Sequence, residues 1–531
     1  MGKLRCRGDF LHRLVPVLLA LMATAVVTLP LANLFAHIDG KSLEQVLSDE
    51  ALGPVLLRSV GASLLTTVIS LALALLLAFC LERTAISCKR LLRVLAVLPM
   101  LIPSVSIGMG VILLFGNNGL ISRLLNLPIG NVYGIKGIVL GSVLYSFPVA
   151  FLLIDDLLKY EDAAPYEAAA VLGMNRWQQF RKITVPYLKK PMIVVAFSTF
   201  SLSFTDYGVP LMVGGKFKTL PVVMYQEVIG QLNFGKGCVY GTMLLIPAIV
   251  AFVADFSNQK RGVGYVRKPF QLHKKLGRDI PAALAAWGTV LFSMMPILAF
   301  LVLAFVKKYP TNLEFTLANI GKTMAMGGGT YLANSLLIAL VVSVVGTVAA
   351  VIVAYYTART HSPVGKYLHL LGLSMAAVPG VVLGLAFVLF FQKTPIYGTL
   401  WILILVNVLH FFASPYMMIY TAFSKANENL EAVASTLGIN RLRLLLRVLV
   451  PKCKETLLQM FASFFVNSMM TISAVSFLAN ARTRPIALMI NQFEAQAQME
   501  YAAVVSLLIL LANLLVKILM EWLPGKEGER R

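Results

Sequence analysis

The chain has 531 residues, 58% of them hydrophobic and only 13% charged, with a mean hydropathy of +0.80. That mixture excludes an ordinary soluble globular domain and implies a polytopic, all-α membrane protein. A net charge of +22 would suit nucleic acid if it were evenly spread. Instead most of the 46 Lys and Arg fall on one side of the predicted spans, so the expected partner is the lipid bilayer and no nucleic acid.

A hydrocarbon core about 30 Å thick takes roughly 20 apolar residues per helix. Twelve runs meet that need, at about 11–36, 55–80, 92–115, 135–158, 191–213, 238–256, 281–306, 331–356, 367–391, 398–422, 457–479 and 501–523. The first is flanked by Lys3, Arg5, Arg7 and Arg13 but lacks a small-residue cleavage site, so it is read as a retained helix, not a secretory signal. With the amino terminus inside, an even number of spans places both termini in the cytoplasm.

Between spans four and five lies "YEAAAVLGMNRWQQFRKITVP", residues 166–186, too polar to cross a membrane. It reads as an alanine-rich helix, a turn at Gly173, and a basic amphipathic helix ended by Pro186. Span five carries Asp206 near its outer end, followed by Gly214 and Gly215, which would permit movement or a turn. An intramembrane carboxylate is a functional candidate by default, with a hydrogen bond to the backbone near Gly208 as the structural alternative. Residues 257–280 are basic and contain no span; they are read as a cytoplasmic linker. The "IGKT" ending at Thr323 has no glycine five residues before Gly321, so it fails as a phosphate-cradling loop and reads as an external loop. A second stretch like the first, "LEAVASTLGINRLRLLLRVLVP", spans 430–451, and span eleven then carries Asn467, Ser468, Thr471 and Ser473. Those four would line a polar path or bind helices together.

The chain repeats itself. At a shift of 276, Ser59 meets Ser335, Arg83 meets Arg359, Pro103 meets Pro379 and Gly108 meets Gly384. By the two polar stretches the shift is 265, which places 11 extra residues of the first half in the outer loop before span four. The expected organisation is a first half over 1–256 (spans one to six), the linker 257–280, and a second half over 281–531 (spans seven to twelve). Six spans return the chain to the same side, so the repeat is parallel.

Aligned on Gly173 and Gly438, the two stretches share Leu172 with Leu437, Ala169 with Ala434, Asn175 with Asn440, Arg176 with Arg441 and Pro186 with Pro451. Trp177, Phe180 and Ile183 match Leu442, Leu445 and Val448 as one helical stripe. An interfacial helix on anionic lipid would share these features, but two copies at corresponding places favour one paired partner binding both. The five cysteines, at 6, 80, 88, 238 and 453, and the six histidines, at 12, 37, 273, 361, 369 and 410, are scattered without metal or disulfide spacing. No catalytic or metal site is expected.

These stretches resemble the EAA loop of binding-protein-dependent ABC importers. Glu167, Ala168, Ala169 and Gly173 match its pattern directly, whereas in the second copy Ala432 stands in the glutamate register and Glu431 lies one place earlier. The resemblance implies a type I importer permease fold, two ABC ATPase subunits gripping the loops from the cytoplasm, and an external substrate-binding protein. It implies that the ATPase uses ATP and that this chain binds no cofactor. "TDYGVPLMVGGKF", "AAVPGVVLGLAFVLFF" and "FVNSMMTISAVSFL" look like the fused permeases of 2-aminoethylphosphonate importers, making that the preferred solute. Related permeases for ferric iron, thiamine and polyamines share parts of these segments. Tyr207 stands where that resemblance implies phenylalanine. An ion-coupled secondary transporter is the other class considered, and the paired loops argue against it.

Overall fold

The structure, a computed structural model, describes residues 14–124, 132–258, 268, 270–360 and 362–528. The basic amino-terminal flank with Cys6, His12 and Arg13, residues 125–131 of the enlarged outer loop, residues 259–267 and 269 of the linker, and His361 lie outside the described residues.

The first half contributes α1 (Leu14–Ala36), α2 (Leu52–Arg83), α3 (Ser104–Phe115), α4 (Ile135–Lys159), α5 (Val185–Thr205) and α6 (Phe234–Asn258). The second contributes α7 (Leu276–Leu303), α8 (Gly329–Arg359), α9 (Pro363–Ser374), α10 (Gly380–Phe391), α11 (Leu400–His410), α12 (Ala413–Ser424), α13 (Lys454–Met470) and α14 (Met499–Gly528). Among the described residues seven helices are long and apolar enough to cross a membrane, or nine spans if the two bent pairs each count as one. The remaining predicted runs fall on α5, α6 and α13. A two-stranded antiparallel hairpin, Val306–Lys308 with Asn312–Phe315, follows α7.

Several runs predicted as continuous spans are broken. The run at 92–115 stops at Ile102 and Pro103 and restarts as α3; α9 and α10 meet at 111°, and α11 and α12 at 53°. The run at 191–213 breaks at Asp206 and Tyr207, and α13 ends at Thr471. Hydropathy is blind to such breaks, because an apolar residue scores alike in a helix and out of one. Open backbone at membrane depth is tolerated only where protein buries it or it lines a cavity, and these breaks converge on one cavity. The "IGKT" segment is also corrected: Gly321, Lys322 and Thr323 sit inside the helix Ala318–Thr323, not in a loop.

The leading helix of each half packs on the other half. α1 lies against α10, while α7 lies against α2 and α3. Within each half, α2 packs along α4 and α5, as α8 packs along α12 and α13. The repeat also shows in single hydrogen bonds. Ser59 Oγ accepts from the backbone N–H of Leu220 at 2.8 Å, and Ser335 Oγ accepts from that of Ile486 at 2.8 Å. In both halves a buried serine of the long second helix satisfies the first N–H of a short outer helix.

Candidate functional site

The breaks surround a cavity of about 380 Å³ between the halves. Its walls pair repeat-related residues: Pro103 with Pro379, Tyr145 with His410, Asp206 with Thr471, and Tyr207 with Ile472. Tyr207 Oη reaches the carbonyl of Ile472, its own repeat partner, at 3.5 Å. Residues related by a two-fold operation touch only beside the axis, so the cavity sits on the pseudo-axis of the molecule.

Asp206 makes the backbone hydrogen bonds weighed as its structural alternative. Its carboxylate accepts from the N–H of Gly208 at 3.2 Å and of Val209 at 3.0 Å, capping the short helix Gly208–Val213, and it lines the cavity. Asn467, Thr471 and Ser473 line it too; Asn467 Nδ2 donates to the Ser463 carbonyl at 2.8 Å. Ser468 is not among the lining residues: one position along the helix it turns about 100° away, where it is buried and its hydroxyl has no partner among the described residues. Tyr145, Ser198, Ser201 and His410 also line the cavity and were missed, because each sits singly in an apolar run. The 265-residue register that places Tyr145 opposite His410 was the signal that could have found two of them.

One contact beside the cavity is exchanged between the halves. A Cβ built on Gly208 would lie 2.3 Å from Ser104 Oγ, and a Cβ built on Gly380 would lie 2.2 Å from Ser473 Oγ. Ser104 and Gly380 are repeat partners, as are Gly208 and Ser473. Each half thus fills the same crossing with one hydroxymethyl group facing one glycine, carried from opposite sides.

The two polar stretches fold alike. Ala164–Val171 and Leu430–Thr436 are short helices, each ended by a glycine in the left-handed region, with φ of +74° at Gly173 and +69° at Gly438. The N–H of Met174 donates to Ala169 O at 3.0 Å, and that of Ile439 to Ala434 O at 2.8 Å. Asn175 and Asn440 then cap the next helices, accepting from Gln178 N at 2.8 Å and Arg443 N at 2.7 Å. Ala169 and Ala434 are buried, Ala168, Arg176 and Arg441 are exposed, and Val171, Leu172, Trp177, Leu437 and Leu442 present apolar surface outward. Leu445 of the predicted stripe is buried instead. Pro186 does not end its helix: Phe180–Thr184 form a π-turn and the helix runs on as α5, while Leu445–Leu449 do the same before Pro451. The wider turn relieves the missing N–H and ring clash that proline imposes on a regular α-helix.

Arg83 and Arg359 anchor the two turns differently. Arg83 pairs with buried Glu161 and lies 3.4 Å from the Phe270 ring centroid. Burial pushes the Glu161 carboxyl above its usual range, partly offset by Tyr166 and Arg83. Arg359 pairs with Glu431 itself, Nε to Oε1 at 2.7 Å, and also donates to the carbonyls of Phe423, Ala426 and Asn427. Glu167 instead makes an exposed pair with Lys268, at 2.6 Å. Lys268 further joins this turn through its carbonyl to Ala163 N–H and its N–H to Asp162.

The family described as binding-protein-dependent transport system inner membrane component matches residues 70–259 and again 346–526. The ferric transport system permease protein of Actinobacillus pleuropneumoniae is 25% identical over 484 residues, 87% of this chain and 69% of that one. The thiamine transport system permease protein of Escherichia coli is 25% identical over 507 residues, 91% of each chain. The molybdenum transport system permease protein of Azotobacter vinelandii is 28% identical over 224 residues, 98% of its own length but 41% of this chain.

Proposed function

Because the chain belongs to the binding-protein-dependent transport system inner membrane components, we propose that it forms by itself the complete two-half pathway of an ATP-driven importer. It is a multi-pass inner-membrane permease. In the proposed arrangement both termini face the cytoplasm, two ABC ATPase subunits hold the two polar turns, and an external binding protein delivers solute to the cavity. ATP is hydrolysed on the partner subunits; this chain's task is to open and close a path.

The observation that carries the reading is the pair of turns, with glycines at φ +74° and +69°, asparagine caps and outward apolar side chains repeated in both halves. Such geometry gives each ATPase the same rigid handle, set on a helix that continues to the cavity through α5 or α13. Closure of the ATPases would draw the handles together and rock the halves about the pseudo-axis. Glu167, Ala168, Ala169, Gly173 and Arg176, with Glu431, Ala434, Gly438 and Arg441, form the handles. Asp206, Asn467, Thr471 and Ser473 line the path, and Ser468 stands behind it.

The test is to co-express the chain with neighbouring ATPases and ask whether a complex survives purification. Gly173→Val with Gly438→Val should leave the permease inserted and abolish ATP-dependent uptake; unchanged uptake would refute the handle reading. The proposed solute is 2-aminoethylphosphonate, supported by the resembling segments, whereas the relatives' names point to ferric iron, thiamine or molybdenum. A deletion strain without redundant importers should fail to grow on 2-aminoethylphosphonate as sole phosphorus source. Normal phosphonate growth together with an iron-limitation defect would transfer the assignment to ferric iron.

A further inference from the structure

The cavity on the pseudo-axis carries a carboxyl group on one side only. Among the described residues Asp206 is the one acidic residue lining it, and no Lys or Arg lines it. At the repeat-equivalent position the second half has Thr471, so the carboxylate has no counterpart across the axis. The backbone N–H groups of Gly208 and Val209 each take one lone pair of the carboxylate and the Ser104 side chain a third, which leaves a further acceptor site open. Tyr145, Phe252 and Phe411 add aromatic surface to the walls, while Ser201 and Asn467 add neutral polar groups. A lone carboxylate among aromatic rings is a matched partner for one cationic nitrogen, which can both donate to it and rest against the ring faces.

The same lining disfavours the other solute classes. An inorganic oxyanion would meet Asp206 with no cation to offset it, whereas an organic solute with a cationic nitrogen brings its own even where it also carries an anionic group. A trivalent or divalent metal ion needs several hard oxygen or nitrogen ligands, and no group of three His, Cys, Asp or Glu that could hold a metal occurs among the described residues. A volume of about 380 Å³ accommodates a small organic molecule.

We infer that this cavity is a transit site for a small organic solute bearing one positively charged nitrogen, held against the Asp206 carboxylate. The inference rests on the permease reading above and narrows its substrate class. A transit site is weak by design, since solute must leave it again. The neutral walls leave the remainder of the solute unselected, consistent with selection by an external receptor.

The full-length chain in lipid nanodiscs, without ATPase or receptor, is titrated with four probes: 2-aminoethylphosphonate, its des-amino analogue ethylphosphonate, thiamine and ferric citrate. The two probes with a cationic nitrogen should bind in the millimolar range, and ethylphosphonate at least about tenfold more weakly. Asp206→Asn, which keeps an acceptor oxygen for one of the Gly208 and Val209 N–H groups, should weaken the cationic probes about tenfold. Equal binding of ethylphosphonate and 2-aminoethylphosphonate by the wild-type chain overturns the inference without relying on any variant. So does binding of ferric citrate alone, an unchanged Asp206→Asn variant, or no binding of either cationic probe. Failure of the permease reading shows elsewhere, as absence of a complex with the ATPases, so the two failures are distinguishable.

Discussion

At the residue scale the exchanged serine and glycine give the sharpest expectation. Gly380→Ser places a second hydroxymethyl group against Ser473, with Cβ 2.2 Å from its Oγ before any relaxation. Overpacking of this kind costs about 1–3 kcal/mol, so the melting temperature in detergent should fall. Adding Ser473→Gly reproduces the first half's arrangement of Ser104 and Gly208 and should restore most of the loss. The ion pairs at the polar turns should likewise be unequal. The Arg359 side chain is only 4% exposed, so Arg359→Ala strands Glu431 and three carbonyls and should cost about 3–5 kcal/mol. Lys268 and Glu167 are each 52% exposed, and Lys268→Ala should change stability by less than about 1 kcal/mol. Thermal unfolding of the two variants side by side checks the contrast; equal losses would contradict it.

At the element scale, helices were far more legible than their interruptions. Twenty apolar residues announce a membrane helix because lipid offers backbone groups no alternative partner. The alignment of Ser59 with Ser335 and of Pro103 with Pro379 already marked the places where the elements bend or are capped, without revealing what happens there. Asp206 was legible as a singular carboxylate, whereas Tyr145 and His410 were not, since one aromatic or imidazole in a long apolar run carries no periodic signal. The continuation of the helix past Pro186 was misread because the penalty for proline assumes α-helical spacing, which Phe180–Thr184 abandon. The two capping serines make a matched prediction at this scale. Ser59→Ala and Ser335→Ala each leave a buried N–H, at Leu220 and Ile486, without its acceptor. Each should cost about 1–3 kcal/mol, with faster hydrogen exchange confined to residues 220–225 or 486–495. Exchange unchanged in both segments would show that water replaces the serines.

At the scale of the whole molecule, the exchange of leading helices makes each half dependent on the other. α7 lies on α2 and α3, and α1 on α10, so neither half retains all of its packing when alone. The chain cut between residues 259 and 267 and co-expressed as two pieces should still assemble and co-purify. The piece 281–531 expressed alone should be degraded or aggregate, because the apolar face of α7 that covers the first half would meet only lipid or itself. Recovery of that piece as a stable, monodisperse protein would argue that the exchanged helices contribute little.

The one-sided cavity carries a further consequence. A transporter built from two identical subunits must present every group near its axis twice, so a carboxylate there would always face its own copy and the two charges would repel. Joining the halves in one polypeptide lifts that restriction, because each copy then mutates independently while remaining in fixed proportion to the other. Asp206 opposite Thr471 is a difference that only such a joined, diverged pair, or two separate unlike subunits, can hold. Covalent linkage thus gives this protein more than matched stoichiometry: it permits polarity at the one place where strict symmetry would forbid it.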